Sequence, residues 1–155
     1  MILPPRKLVL DTNCFIDASR TDAANAAYEL FTAQAAPRLY LSSVVAAELL
    51  AGAISASELT QLEDAVLKPY QRRDRIVTPS ATAWNALGTT LATLVREEGL
   101  QLETTPRSFI FDILIAYSCR EIGAILVSAN SRDLARIARV FAFDYLAPYP
   151  DLATI

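Results

Sequence analysis

The sequence predicts an α/β fold with a mainly parallel central sheet covered by helices on both faces, in a single domain over residues 1–155. Three observations carry this expectation. Short apolar runs such as "KLVLD" and "AILVS" have the length and composition of strands buried on both sides. Longer stretches of helical periodicity separate them, the pattern of a parallel sheet built through crossover helices. Prolines and glycines fall at most of the junctions, where helices are expected to stop.

Taken in order, "KLVLD" (7–11) is the first strand, and residues 22–35 form a helix with Asp22 as N-cap and Pro37 just past its end. "RLYLS" (38–42) is the second strand, followed by the helix "SVVAAELLAG" (43–52), which Gly52 closes. "SASE" (55–58) has the capping-box pattern. It opens a helix with Leu59, Leu62, Ala65 and Val66 at helical spacing, ending before Pro69. "RIVTP" (75–79) is the third strand, with Thr78 as N-cap and Pro79 at the first position of the next helix. Trp84, Leu87, Leu91, Leu94 and Val95 are the apolar stripe of that helix, and Gly99 stops it. Ser108 caps "FIFDILIAYSCREIG", which Gly123 closes. "AILVS" (124–128), the helix "SRDLARIARVF" (131–141) and a last strand "FDYLA" (143–147) complete the chain. Right-handed crossovers then align the C-terminal ends of all strands along one edge, where such sheets bind ligands.

Composition narrows the chemistry. The chain is 53% hydrophobic, which leaves apolar side chains to spare and hints at self-association. Cys14 and Cys119 lack the C-x-x-C spacing of a metal or redox site, and a core of this size needs no disulfide. Apolar runs are broken well short of the roughly 18 residues that span a bilayer, and too few residues precede the first strand for a signal peptide. A soluble cytoplasmic protein with no membrane partner is expected. A net charge of −3 and a pI near 4.9 argue, on global charge alone, against nucleic acid. The chain has no histidine, so any chemistry rests on carboxylates, hydroxyls or thiols.

Three acids interrupt segments that otherwise read as core: Asp11 in "LVLD", Glu48 in "VVAAELL" and Asp112 in "FIFDILIAY". Burying an isolated carboxylate is expensive, so each needs a partner. Asp11 alone is explained by capping the following helix, and Asp112 alone by a capped or snorkelling side chain. The topology, however, brings all three to the edge where strands end. "LVSANSRD" adds Ser128, Asn130 and Asp133 there. Converging carboxylates raise one another's pKa unless a cation neutralises them. Oxygen ligands without histidine or cysteine suit Mg²⁺ or Mn²⁺, and a metal so held supports phosphoryl-transfer chemistry.

"LVLDTNCFID", "SSVVAAELLAG", "FDILIA" and "AILVSANSRDL", in this order and spacing, resemble the PIN-domain superfamily. The length resembles the VapC toxins of type II toxin–antitoxin systems. The resemblance covers residues 7 to about 147. It implies a three-layer α/β/α sandwich and a Mg²⁺- or Mn²⁺-dependent endoribonuclease cutting single-stranded or structured RNA. It further implies a small cognate antitoxin and a homodimer. By motif, Asp11, Glu48 and Asp112 match the three acids, and Thr12 and Asn13 match the polar pair supporting the first. Asp11 and Asp112 are then direct ligands, with Glu48 ligating or orienting the attacking water. Cleavage would leave a 5′-phosphate and a 3′-hydroxyl. The family's fourth acid falls here on Asn130, so either Asp133 takes part or the three acids and Ser128 or Asn130 complete the shell through water.

Two arginine groups offer contacts to RNA or a partner: Arg72, Arg73 and Arg75 before the third strand, and Arg132, Arg136 and Arg139 along one stripe of the late helix. A solvated helix face is the competing explanation. Asp17 is expected on the solvent side or paired with Arg20, and Cys119 as a small core residue. A haloacid-dehalogenase-type phosphatase is disfavoured, because Asn13 stands where that family has a second aspartate and the only lysines are Lys7 and Lys68. No G-x-G-x-x-G is present for a dinucleotide. A non-catalytic PIN-like module binding RNA or protein remains the alternative from another class.

Overall fold

Side chains alternate across a strand, and here the alternation feeds two separate cores. The computed structural model describes residues 3–155. Its strands are β1 (Leu8–Leu10), β2 (Leu39–Ser42), β3 (Ile76–Val77), β4 (Ile125–Val127) and β5 (Asp144–Leu146). They form one sheet in the order β3-β2-β1-β4-β5, with every pairing parallel. Leu8 of β1 stands beside Leu39 and Ile125, which fixes the register at the sheet centre.

Leu8, Leu10, Leu39, Ile125 and Val127 point to one face. There they meet Cys14 of α1 (Thr12–Ala18) and Phe31 and Ala35 of α2 (Asp22–Ala35). Val9 and Leu126 point to the other, with Tyr40 packed beside them. That face packs on α3 (Ser43–Ala51), α6 (Ala81–Glu98), α7 (Arg107–Ile122) and α8 (Ser131–Ala138). The result is the three-layer α/β/α arrangement. Between α3 and β3 lie α4 (Ala56–Leu62) and α5 (Lys68–Arg72).

Several helix boundaries depart from expectation. Thr21, not Asp22, caps α2 by accepting from Ala24 N, and Asp22 falls inside the first turn. Ser80, not Thr78, caps α6, which leaves Pro79 outside the helix. The segment after "SASE" passes through Pro69 and ends at Arg72. A π-helical turn at Glu63–Leu67 precedes that proline and already interrupts the regular hydrogen-bond ladder, so the missing N–H costs little. The helix holding Asp112 begins at Arg107 after Pro106, so Ser108 is inside it and does not cap it. Gly99 and Gly123 end α6 and α7 at φ of 69° and 68°, a conformation that favours glycine.

Candidate active site

The sheet's strand order reverses between β1 and β4: the chain lays β2 and β3 to one side of β1, then returns to place β4 and β5 on the other. Asp11 and Ser128 sit directly beyond these two neighbouring strands. The Asp11 backbone N–H donates to Val127 O, which continues the ladder by one residue. Its carboxylate caps α1, with Thr12 N donating to Oδ1 at 2.7 Å. Oδ2 accepts from Ser128 Oγ at 2.6 Å and from Asn13 Nδ2 at 3.2 Å. Ser128 Oγ in turn accepts from Asn13 Nδ2 and from Asn130 N, each at 3.0 Å. Asp11 therefore caps a helix and also anchors a polar network across the sheet's end.

Glu48, on α3, accepts from Thr12 Oγ1 through Oε1 at 2.8 Å. Asp112, on α7, is buried and accepts from Asn130 Nδ2 through Oδ2 at 2.8 Å. The same amide donates to Asp133 Oδ2 at 3.1 Å. Asp11, Thr12, Asn13, Glu48, Asp112 and Asn130 line one open cavity of about 410 Å³, together with Ile16, Ser108 and Ala129. Asp133 stands behind Asn130 and lines a neighbouring recess with Ser108 and Arg136.

The acidity of this cavity follows from burial and mutual repulsion. Burial pushes the Asp112 carboxyl up to about 8, helped by the charges of Asp11, Glu48 and Asp133 and opposed by the Asn130 hydrogen bond. Burial also raises Asp11, against the pull of bonds from Ser128, Thr12 and Asn13. Glu48 is raised by burial and by Asp11, while the Thr12 bond and the Arg107 charge hold it down. No lysine or arginine lines the cavity. Three acids facing one space without a cation is an arrangement that a bound cation relieves.

The donor set suits Mg²⁺ or Mn²⁺: all hard oxygen, with no histidine or thiol. Among the described residues no three acidic, cysteine or histidine side chains are already drawn tightly enough together to encircle an ion. Mg²⁺ does not need that, since it keeps several waters and is commonly held by one or two carboxylates. Asp112 Oδ1 and Glu48 Oε2 accept no hydrogen bond among the described residues, which leaves an oxygen on each for a ligand or water. The residues fit a hydrated divalent cation.

The other sequence candidates lie elsewhere. Arg72, Arg73 and Arg75 come before β3, at the side where strands start and away from the acids. Arg75 donates to Ala36 O and lies over the Tyr40 ring, and Arg73 lines a recess with Ala36 and Leu39. A basic run ahead of a parallel strand is delivered to the opposite edge. Arg136 and Arg139 both pair with Glu98, at 2.5 and 3.0 Å, and Arg132 is exposed on the same helix. Asp17 pairs with Arg20 at 3.0 Å. Both cysteines are free and buried, and burial pushes the Cys14 thiol up to about 12. Sequence reasoning missed Ser108 and Ile16 as lining residues; Ser108 stands four before Asp112, hence on the same helix face. Beside the acids opens a larger, mostly apolar groove of about 770 Å³, lined by Phe15, Tyr28, Leu49, Leu62 and Val66 and sharing Ile16 and Glu48 with the acidic cavity. No helix among the described residues is long and apolar enough to cross a membrane.

Comparison with known proteins places this geometry. The sequence model of the PIN domain matches residues 8–140. A chain of FitAB bound to an IR36 DNA fragment superposes with a TM-score of 0.67 at 14% identity, over 93% of this chain and 97% of that one. A chain of VapBC2 from Rickettsia felis, bound to a DNA fragment from its promoter, gives 0.59 at 25% identity, over 90% and 97%. A toxin–antitoxin complex from Klebsiella pneumoniae gives 0.58 at 20% identity, over 94% and 100%. No curated protein matches by sequence.

Proposed function

The chain belongs to the PIN domain family, and from that premise we propose that it is a VapC-type toxin: a Mg²⁺- or Mn²⁺-dependent endoribonuclease acting on single-stranded RNA. The observation that carries this reading is the convergence of Asp11, Glu48 and Asp112 from β1, α3 and α7 on one cavity with no cation in its lining.

In this reading Asp11 and Asp112 hold the metal. When bound there, the ion supplies charge neutralisation at the phosphate and a more acidic attacking water. The chain's own residues do the rest. Ser128, Asn13 and Thr12 fix both oxygens of Asp11. Asn130 fixes one oxygen of Asp112, and Thr12 fixes one of Glu48. The remaining Glu48 oxygen orients water and accepts its proton, a role favoured by burial, which raises its carboxyl above the ordinary value and makes it a stronger base. Water oxygen bonds to phosphorus, the bond to the 3′-oxygen breaks, and that oxygen takes a proton from solvent. The products are a 5′-phosphate and a 3′-hydroxyl.

The partner in this reading is a small cognate antitoxin, supported by the toxin–antitoxin complex among the structural neighbours. The apolar groove beside the acids offers it a seat that reaches Glu48. One observation favours a second reading, a non-catalytic RNA- or protein-binding module: Asn130 occupies the place of a fourth acid. Incubating the full chain with several single-stranded RNAs separates the two. Cleavage in Mn²⁺ that is abolished by EDTA and by Asp112→Asn supports the nuclease. Equal cleavage by Asp112→Asn contradicts the assigned site, and no cleavage in any metal favours the binding module.

A further inference from the structure

The acidic cavity raises a problem for its own substrate. An RNA strand brings a phosphate every residue, and the cavity lining offers three carboxylates and no positive charge. Neutralising the scissile phosphate still leaves its neighbours to be held, and such contacts set the register of a nucleic acid on a protein. Most of the arginines with obvious sequence signatures are placed or paired elsewhere. Arg136 and Arg139 are committed to Glu98, and Arg73 and Arg75 sit where the strands begin.

Arg107 is placed differently. It is the first residue of α7, the helix that carries Asp112, and it adjoins Ser108, which lines the cavity. Ser108 and Asp112 share the helix face turned to the acids, and Arg107 and Phe111 share the strip beside it. The Arg107 guanidinium lies 5.9 Å from the centroid of the Phe111 ring. Its side chain is exposed and has no acidic partner within ion-pair distance among the described residues, whereas Arg6, Arg20, Lys68, Arg136 and Arg139 each have one. Its charge reaches Glu48 and partly offsets that residue's burial.

We propose that Arg107 is a substrate-positioning residue that holds a phosphate of single-stranded RNA next to the cleaved one, with Phe111 bracing its guanidinium from below. This rests on the nuclease reading and names the side chain that delivers the strand to the acids. A guanidinium offers a planar fork of donors to phosphate oxygens, and an exposed unpaired one gives up no ion pair to do so.

The test is binding of a labelled single-stranded oligoribonucleotide to the full chain in EDTA across a range of NaCl, which separates RNA contact from hydrolysis. Removing one phosphate contact lowers the magnitude of the salt slope by about 0.7 for a single strand. Arg107→Ala is expected to weaken binding about tenfold at low salt and to flatten the slope by that amount, while Arg107→Lys keeps most of the slope. Arg120→Ala is the control: the same helix, also exposed, and about 20 Å further along at 1.5 Å per residue. It is expected to bind as the unsubstituted chain does. Thermal melts of each variant verify folding. Unchanged affinity and slope for Arg107→Ala, with the unsubstituted chain cutting RNA in Mn²⁺, overturns the inference alone. Equal losses for Arg120→Ala and Arg107→Ala overturn it too, because net charge is then the cause. An unsubstituted chain that neither binds nor cuts RNA overturns both the inference and the nuclease reading.

Discussion

Asn130 donates from Nδ2 to Asp112 Oδ2 at 2.8 Å, so the amide that stands where a fourth acid was expected is bound to the third one. The same nitrogen reaches Asp133 at 3.1 Å. A carboxylate in its place would turn two attractive contacts into two repulsions. The fourth corner of this site therefore supports Asp112 and adds no charge of its own.

Asn130→Asp tests that difference. Above pH 8, where Asp112 is charged, its bond from Asn130 is one to a charged group and contributes about 1.5–3 kcal/mol, and 1 kcal/mol moves the melting temperature of a chain this long by about 2–4 °C. The variant is expected to melt several degrees lower in EDTA and to gain more from Mn²⁺ than the unsubstituted chain does. Identical melting in EDTA would show that the amide contributes nothing to holding Asp112.

Ser128 is buried, donates to Asp11 and accepts from Asn13 and the Asn130 backbone. Ser128→Ala removes all three bonds at once and leaves Asn13 Nδ2 short of a partner. A loss of about 1–3 kcal/mol is expected from an unsatisfied buried group, read by urea denaturation, together with a weaker Mn²⁺ response. A variant as stable as the parent would mean that water replaces the hydroxyl.

The pH dependence carries a definite sign. Asp112 is pushed from 3.8 to about 8, chiefly by burial and then by Asp11 and Glu48. Below the lower value both states are protonated and the residue contributes no difference. Between the two values folding takes up a proton, so native stability falls as pH rises, and the full cost is present above the upper one. Asp112→Asn cannot ionise. In EDTA it is expected to melt above the unsubstituted chain at pH 8, with the gap closing toward pH 5. A gap that widens toward pH 5 would reverse the sign and contradict the assigned environment.

Much of this architecture was legible because its determinants are local. "LVL", "LYLS" and "ILV" are too apolar and too short for anything but buried strands, and the run of helices between them dictates a parallel sheet. The convergence of Asp11, Glu48 and Asp112 followed from strand direction alone. Helix starts were less legible, because Thr21 stands next to Asp22 and Ser80 follows Thr78, and only tertiary packing selects among adjacent capping residues. Pro69 was read as a stop because a sequence does not announce the π turn that accommodates it. The Arg72–Arg75 cluster lies at the edge opposite the acids, a placement that strand direction implies, since it precedes its strand. Arg107 was overlooked because its neighbour Ser108 was read as the cap, which hid the true start of α7.

Calorimetric titration of Mn²⁺ into the full chain measures whether these three carboxylates together make a divalent-cation site. Saturable binding to the unsubstituted chain, lost or weakened at least tenfold in both Asp11→Asn and Asp112→Asn, is the predicted result. Binding of equal strength by all three proteins, or none by the unsubstituted chain, would contradict it.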